Sequence, residues 1–335
     1  MTKSAAFGRS TIGGAGVVQA LDSLQRRGLV ELHREYVSYL QRSYEPDFSD
    51  DDHERSLWSG ETGIRLVLQR LSPSQENADR LAELIAGNAR DERREVMWGS
   101  PGTMLAAAAM HELTSEPRWV DLWRESATRL RDEWDAETGL WTQELYRMVE
   151  QFIGPAHGFA GCVLALSREA DEEVHRRAAE TTARYAIEEN GLANWPPVAS
   201  MESLRGNRDG SIRTQWCHGA PGVVASLARL APDDDEHERL LRAGGELTWR
   251  AGPLSKGSNL CHGTAGNGYA FLALFERTED ELWLERARAF AMHTIAQVAR
   301  ARKEFGRGRH TLWTGDPGTA LYLADCLAGG TVPLP

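Results

Sequence analysis

Two stretches of the sequence carry the residue types that do chemistry, and they nearly repeat each other. "TQWCHGAPG" holds Cys217, His218 and Gly219, and forty-four positions later "NLCHGTAG" holds Cys261, His262 and Gly263. Thiolate is a soft ligand and imidazole a borderline one, and together they suit zinc. Three protein ligands leave a fourth coordination position open for a substrate. Cys217, Cys261 and His262 form such a set. The competing reading is that free cysteines are small apolar residues packed in a core. That reading is preferred for Cys162 and Cys326, which lie inside apolar runs. Recurrence of the Cys-His pair in register favours the metal for the other two, provided that some element of the fold brings the two units together.

The sequence supplies such an element. A Gly-x-x-Gly followed by a small, apolar run occurs six times, beginning at Gly60, Gly99, Gly158, Gly219, Gly263 and Gly315. The spacings are 39, 59, 61, 44 and 52 residues, the quasi-regular period of a repeat architecture. Each run is apolar nearly all round, which predicts a helix buried on every side. Most are followed by an amphipathic stretch, such as "SEPRWVDLWRESATRLRDEW", "DEEVHRRAAETTARYAIEE" and "EDELWLERARAFAMHTIAQVARARKEF". Ser115, ahead of Pro117, is the predicted start of the first of these.

The expected fold is therefore all-α, with buried inner helices paired to amphipathic outer ones. The first and last units are as apolar as the middle ones, whereas an open solenoid needs polar caps. This favours closure into an α/α toroid of six to seven inner and outer helix pairs. No Pro-, Gly- or Ser-rich linker divides the chain, so residues 1–335 are expected to form one domain, with helices from residues 1–50 completing the ring. If each Gly-x-x-Gly starts an inner helix, the preceding residues share one rim position: Ser59, Trp98, His157, His218, His262 and Thr314. Cys217 and Cys261 can then meet because the fold repeats.

Composition narrows the partners. Of 335 residues, 41% are hydrophobic, and the formal net charge is −11. Such a surface repels nucleic acid and acidic membranes on average. The sequence contains no run of the 18 or so apolar residues that a membrane span needs. Four cysteines make no disulfide framework, and a reduced, cytoplasmic protein is expected. The acidic clusters "SDDDHE" and "PDDDEHE" read as exposed loops or helix starts, "DERREVMWG" as a charge run of the kind that usually lies on a solvated face, and Trp216 as a core residue.

The motifs "WCHGAPG", "LCHGTAG" followed by "AGNGYAFLAL", "GPAHGFAG" and "TLWTGDPGTALYLADCL" resemble the signatures of the lanthionine synthetase C-like proteins. The resemblance runs in order from about residue 55 to residue 328. It implies an α/α toroid with one catalytic zinc on Cys217, Cys261 and His262. The implied reaction adds a thiol to dehydroalanine or dehydrobutyrine, either from a cysteine of the same peptide or from glutathione. By the same resemblance His157 corresponds to an acid/base histidine, Arg213 to an active-site arginine, Glu95 to an active-site carboxylate and Lys256 to a lysine that binds glutathione. His218 matches the "CHG" form of the branch that includes the animal proteins.

The expected mechanism follows from thiol chemistry. A free thiol is mostly protonated at neutral pH, and the thiolate is the nucleophile. Zinc would deprotonate it, Arg213 would stabilise the enolate oxygen that develops, and His157 would protonate Cα. Glutathione is the expected thiol and a dehydroamino-acid-containing peptide or protein the expected partner. A lanthionine-forming peptide cyclase is the alternative, and a non-catalytic zinc-stabilised binding scaffold a further one. A glycan-cleaving enzyme would need paired carboxylates instead.

Overall fold

The computed structural model describes residues 13–33, 36–43, 54–145, 147–200, 213–230 and 234–331. The cluster at 49–53 and the start of "PDDDEHE" at 232–233 lie outside them. The described residues form thirteen α-helices: α1 (Gly14–Arg26), α2 (Val37–Ser43), α3 (Glu61–Leu71), α4 (Gln75–Asn88), α5 (Ser100–Thr114), α6 (Pro117–Asp132), α7 (Phe159–Leu166), α8 (Glu172–Tyr185), α9 (Ala220–Leu227), α10 (Asp235–Ala251), α11 (Thr264–Thr278), α12 (Glu281–Phe305) and α13 (Asp316–Ala328).

Each of the six Gly-x-x-Gly units begins a helix, and its first glycine is the N-cap in every case. A seventh unit, Gly13-Gly14-Ala15-Gly16, caps α1 in the same way. The sequence count of six missed it, although the pattern is present. Contacts run α1–α3–α5–α7–α9–α11–α13 and back from α13 to α1. The inner helices therefore close a seven-membered ring, an α/α toroid. Outside it, α4 packs on α3 and α5, α6 on α5, α8 on α7, α10 on α9 and α11, and α12 on α11 and α13.

The glycines are needed because the loop before each inner helix folds back against that helix's first turn. Backbone N–H groups of the first turn donate to the carbonyl seven residues earlier: Glu61 to Glu54, Phe159 to Phe152 at 2.9 Å, Thr264 to Gly257 at 3.0 Å and Asp316 to Arg309 at 2.8 Å. This satisfies the donors that a helix start leaves open. It also leaves no room for a side chain. A Cβ at Gly102, Gly161, Gly222, Gly266 or Gly318 would collide with the carbonyl oxygen six residues before it. The outer helices α4, α8, α10 and α12 use ordinary side-chain caps instead, from Ser74, Asp171, Asp234 and Asp280. At α6 the cap is Glu116, and Ser115 ends α5 in the left-handed region at φ 58°. Ser115 thus closes one helix rather than opening the next, because only two residues separate them.

The main hydrophobic cluster draws on inner and outer helices alike, with Trp119, Trp123, Phe159 and Phe271 fully buried in it. Phe271 of α11 stacks on Trp283 of α12, with centroids 6.2 Å apart, and meets Phe290 of α12 edge-on at 4.9 Å. Two short antiparallel hairpins interrupt the helices: β1 (Gln143–Leu145) with β2 (Met148–Glu150), and β3 (Ile187–Glu189) with β4 (Leu192–Asn194). The second turns at Asn190-Gly191, both at positive φ. This is the Asn-Gly signal of a tight hairpin, and it was legible in the sequence.

Candidate functional site

The loops that precede the inner helices are tied to one another at the rim. Cys217 N–H donates to the carbonyl of Cys261 at 3.1 Å, and Leu260 and Cys261 N–H both donate to the carbonyl of Trp313. This stitching holds the two Cys-His units side by side. The Cys217 and Cys261 thiols are hydrogen-bonded to each other, and both residues are partly buried. Sharing a proton with Cys261 outweighs burial and brings Cys217 down to about 7, while Cys261 is pushed up by the same partner.

His262 follows Cys261, and its backbone N–H is fixed by Asn259 Oδ1 at 3.1 Å. Its half-buried ring makes no hydrogen bond to a described residue, and burial lowers its pKa. Among the described residues no three His, Cys, Asp or Glu side chains stand as a finished metal cage. The donor chemistry nevertheless fits zinc: two thiols already paired, one of them easily deprotonated, beside an uncommitted imidazole.

His157, on the loop before α7, sits beside the pair, and its charge acts on both Cys217 and His218. Its Nδ1 is 2.8 Å from Glu95 Oε2. Glu95 is 0% exposed, so the "DERREVMWG" run is not a solvated face at this position. Its Oε1 accepts from the N–H groups of Trp98 (2.5 Å) and Gly99 (3.1 Å), and its Oε2 accepts from Met97 N–H at 3.0 Å. The carboxylate thus ties down the turn that leads into α5 and is a fixed partner for His157 at once. Oε2 accepts, so Nδ1 of His157 carries a proton. The ring is bracketed by Trp98 at 5.1 Å and Phe152 at 6.3 Å.

His218 is pushed down to about 4, first by burial and then by the positive charges of His157, Arg213 and Lys256. It is therefore neutral at neutral pH, with a buried Nδ1 that finds no described partner. Arg213 is exposed, and its backbone is held by Asn194. Lys256 is also exposed, and its Nζ donates to Gln215 Oε1 at 3.0 Å. All eight singled-out residues lie in the loops before α5, α7, α9 and α11 or at the starts of those helices. Cys162 and Cys326 are buried in α7 and α13. Trp216 is half-buried and packs on Trp313 at 4.7 Å.

Sequence reasoning passed over four amides that set this geometry. Asn194 at the end of β4 accepts from Ala220 N–H at 2.7 Å and so caps α9. Buried Asn267 of α11 donates to the Thr214 carbonyl at 3.1 Å. Asn259 orients His262, and Gln215 donates to the Cys217 sulfur at 3.1 Å. The polar asparagine within the apolar "AGNGYAFLAL" run was the signal available for Asn267.

Comparison with known proteins agrees with this architecture. Residues 12–334 match the family described as lanthionine synthetase C-like protein. Over 200 residues, 56% of this chain, it is 30% identical to the Danio rerio protein named glutathione S-transferase LANCL1. Over 147 residues, 43% of the chain, it is 33% identical to the LanC-like protein GCL1 of Arabidopsis thaliana. The matched stretches span 45% and 32% of those relatives' own lengths. The solved structure of nisin cyclase superposes with a TM-score of 0.64, covering 97% of this chain and 94% of that one at 16% identity, a likeness of fold. The chain belongs to the lanthionine synthetase C-like family.

Proposed function

We propose that this member of the lanthionine synthetase C-like family is a zinc-dependent enzyme that adds a thiol, glutathione, to dehydroalanine or dehydrobutyrine residues of peptides or proteins. The observation that carries the reading is the meeting of a paired-thiol donor set, Cys217 and Cys261, with a carboxylate-held histidine, His157 on Glu95. The matched relative named as a glutathione S-transferase supports the choice of thiol.

The addition forms a bond from the thiol sulfur to Cβ of the dehydroamino acid and leaves a proton on Cα, with no net oxidation. Held by Cys217, Cys261 and His262, zinc would keep the incoming thiol deprotonated at neutral pH. His157, with Nδ1 fixed on Glu95, presents Nε2 as the atom that delivers the proton to Cα. His218 is neutral at working pH, so the enolate oxygen is assigned to the charged donor Arg213. Lys256 pairs a glutathione carboxylate. No helix among the described residues is long and apolar enough to cross a membrane, and a cytoplasmic location, where glutathione is abundant, fits this reading.

The test offers the protein a dehydroalanine peptide with glutathione and, separately, a dehydrated peptide with an internal cysteine. Mass spectrometry distinguishes glutathione addition from ring closure, which leaves the mass unchanged and removes the free thiol. An enzyme-dependent glutathione adduct is expected. Ring closure without that adduct assigns the chain as a lanthionine-forming cyclase, and neither product assigns it as a binding scaffold.

A further inference from the structure

Gln215 is 5% exposed, and its side-chain amide bridges two functional groups. Oε1 accepts from Lys256 Nζ at 3.0 Å, and Nε2 donates to Cys217 Sγ at 3.1 Å. The orientation is fixed by chemistry, because an ammonium can only donate; the oxygen must face Lys256 and the NH₂ group must face the sulfur. The backbone is fixed as well: Gln215 N–H donates to the His218 carbonyl, and His218 N–H donates to that of Gln215, both at 3.1 Å. Nothing in the side chain is free to turn without losing a bond.

We infer that Gln215 is a positioning residue that couples the substrate-binding lysine to the metal-binding sulfur; this rests on the thiol-addition reading. A lysine has three donors. One, spent on Gln215, aims the otherwise exposed Lys256 at the rim and leaves two for the carboxylate of an incoming thiol. At its other end the amide donates to Cys217 and draws electron density from the sulfur. The two hydrogen bonds share one amide and polarise each other. Gln215 thereby selects for thiols that carry a carboxylate, and it contributes to catalysis without touching the reacting atoms.

The test compares Gln215→Met, Gln215→Glu, Lys256→Ala and the Gln215→Met/Lys256→Ala double variant. The readouts are steady-state kinetics with glutathione and with 2-mercaptoethanol, which has no carboxylate. Gln215→Met and Lys256→Ala should each raise the KM for glutathione about tenfold, the worth of one charge-assisted hydrogen bond. The double variant should be no worse than the worse single, and the rise in KM for 2-mercaptoethanol should be well short of that for glutathione. A second readout is independent of turnover: in cobalt-substituted protein the sulfur-to-metal charge-transfer band should shift in Gln215→Met and in Gln215→Glu, but not in Lys256→Ala. Gln215→Glu keeps an acceptor for the lysine and loses the donor to sulfur, so it serves if the methionine variant fails to fold. Multiplying KM effects, or an unshifted band in both Gln215 variants, overturns the inference. A wild type that adds no thiol defeats the functional reading instead, and the cobalt comparison then decides this one alone.

Discussion

Glu95 Oε2 and His157 Nδ1 lie 2.8 Å apart although 62 residues separate them in the chain. Glu95 is spent on three backbone N–H groups and one imidazole, so it acts through the histidine. His157→Asn should keep fold and metal and lose turnover roughly a hundredfold or more, the worth of a positioned acid–base group. Glu95→Gln should reproduce much of that loss, because a neutral amide NH₂ facing Nδ1 removes both the acceptor and the negative charge that support a proton on each ring nitrogen. Turnover measured beside metal content decides it, and full activity in both variants would move the proton to another residue.

The shared proton between Cys217 and Cys261 predicts a metal that competes with protons. Elemental analysis should find one zinc per chain, and Cys261→Ala should lose it. A chelator should strip zinc faster as the pH falls, because thiolates must be reprotonated on release. Full activity of metal-free wild type would sink the zinc assignment.

His237 gives the fold an acid-sensitive point away from the rim. It lies in the first turn of α10, is 1% exposed, and is pushed down to about 4 by burial and then by the Arg277 charge. The unfolded chain binds this proton at about 6.5. Between the two values the unfolded state holds a proton that the folded state refuses, so the contribution is complete above about pH 6.5 and is lost as pH falls toward 4. The loss by pH 4 is roughly 2–3 kcal/mol. Urea titrations of wild type and His237→Leu at pH about 7 and about 5 should show a smaller drop in the variant; equal drops would place the acid lability elsewhere.

Asp325 of α13 adds a polar tie where the last inner helix meets the first. It pairs with Arg27, just past α1, at 2.6 Å and accepts from Tyr269 Oη of α11 at 2.7 Å. Its side chain is nearly buried, so Arg27→Ala uncovers a charge rather than deleting a surface pair. The expected cost is about 3 kcal/mol. Chemical denaturation measures it, and a cost below about 0.5 kcal/mol would class the bridge with ordinary surface pairs.

The sequence by itself determined the repeat and therefore the ring. Gly-x-x-Gly is legible because each inner helix starts where a loop carbonyl occupies the space of a Cβ, and only glycine meets that demand. The shared rim position of His157, His218 and His262 followed from counting back one residue. Other features were decided only by tertiary structure, because they depend on contacts between loops distant in sequence. Glu95 looked like part of a solvated charge run until the α5 start buried it beneath His157. Gln215 and Asn194 carry no local pattern, since an amide is informative only once its partners are in place. His218 and His262 look alike in their Cys-His-Gly frames and both are half-buried, yet burial and the charges of His157, Arg213 and Lys256 push His218 down to about 4, while His262 is lowered by burial and then by Lys256 and Arg309. Burial and the neighbouring charges make that difference, and both are properties of the closed ring.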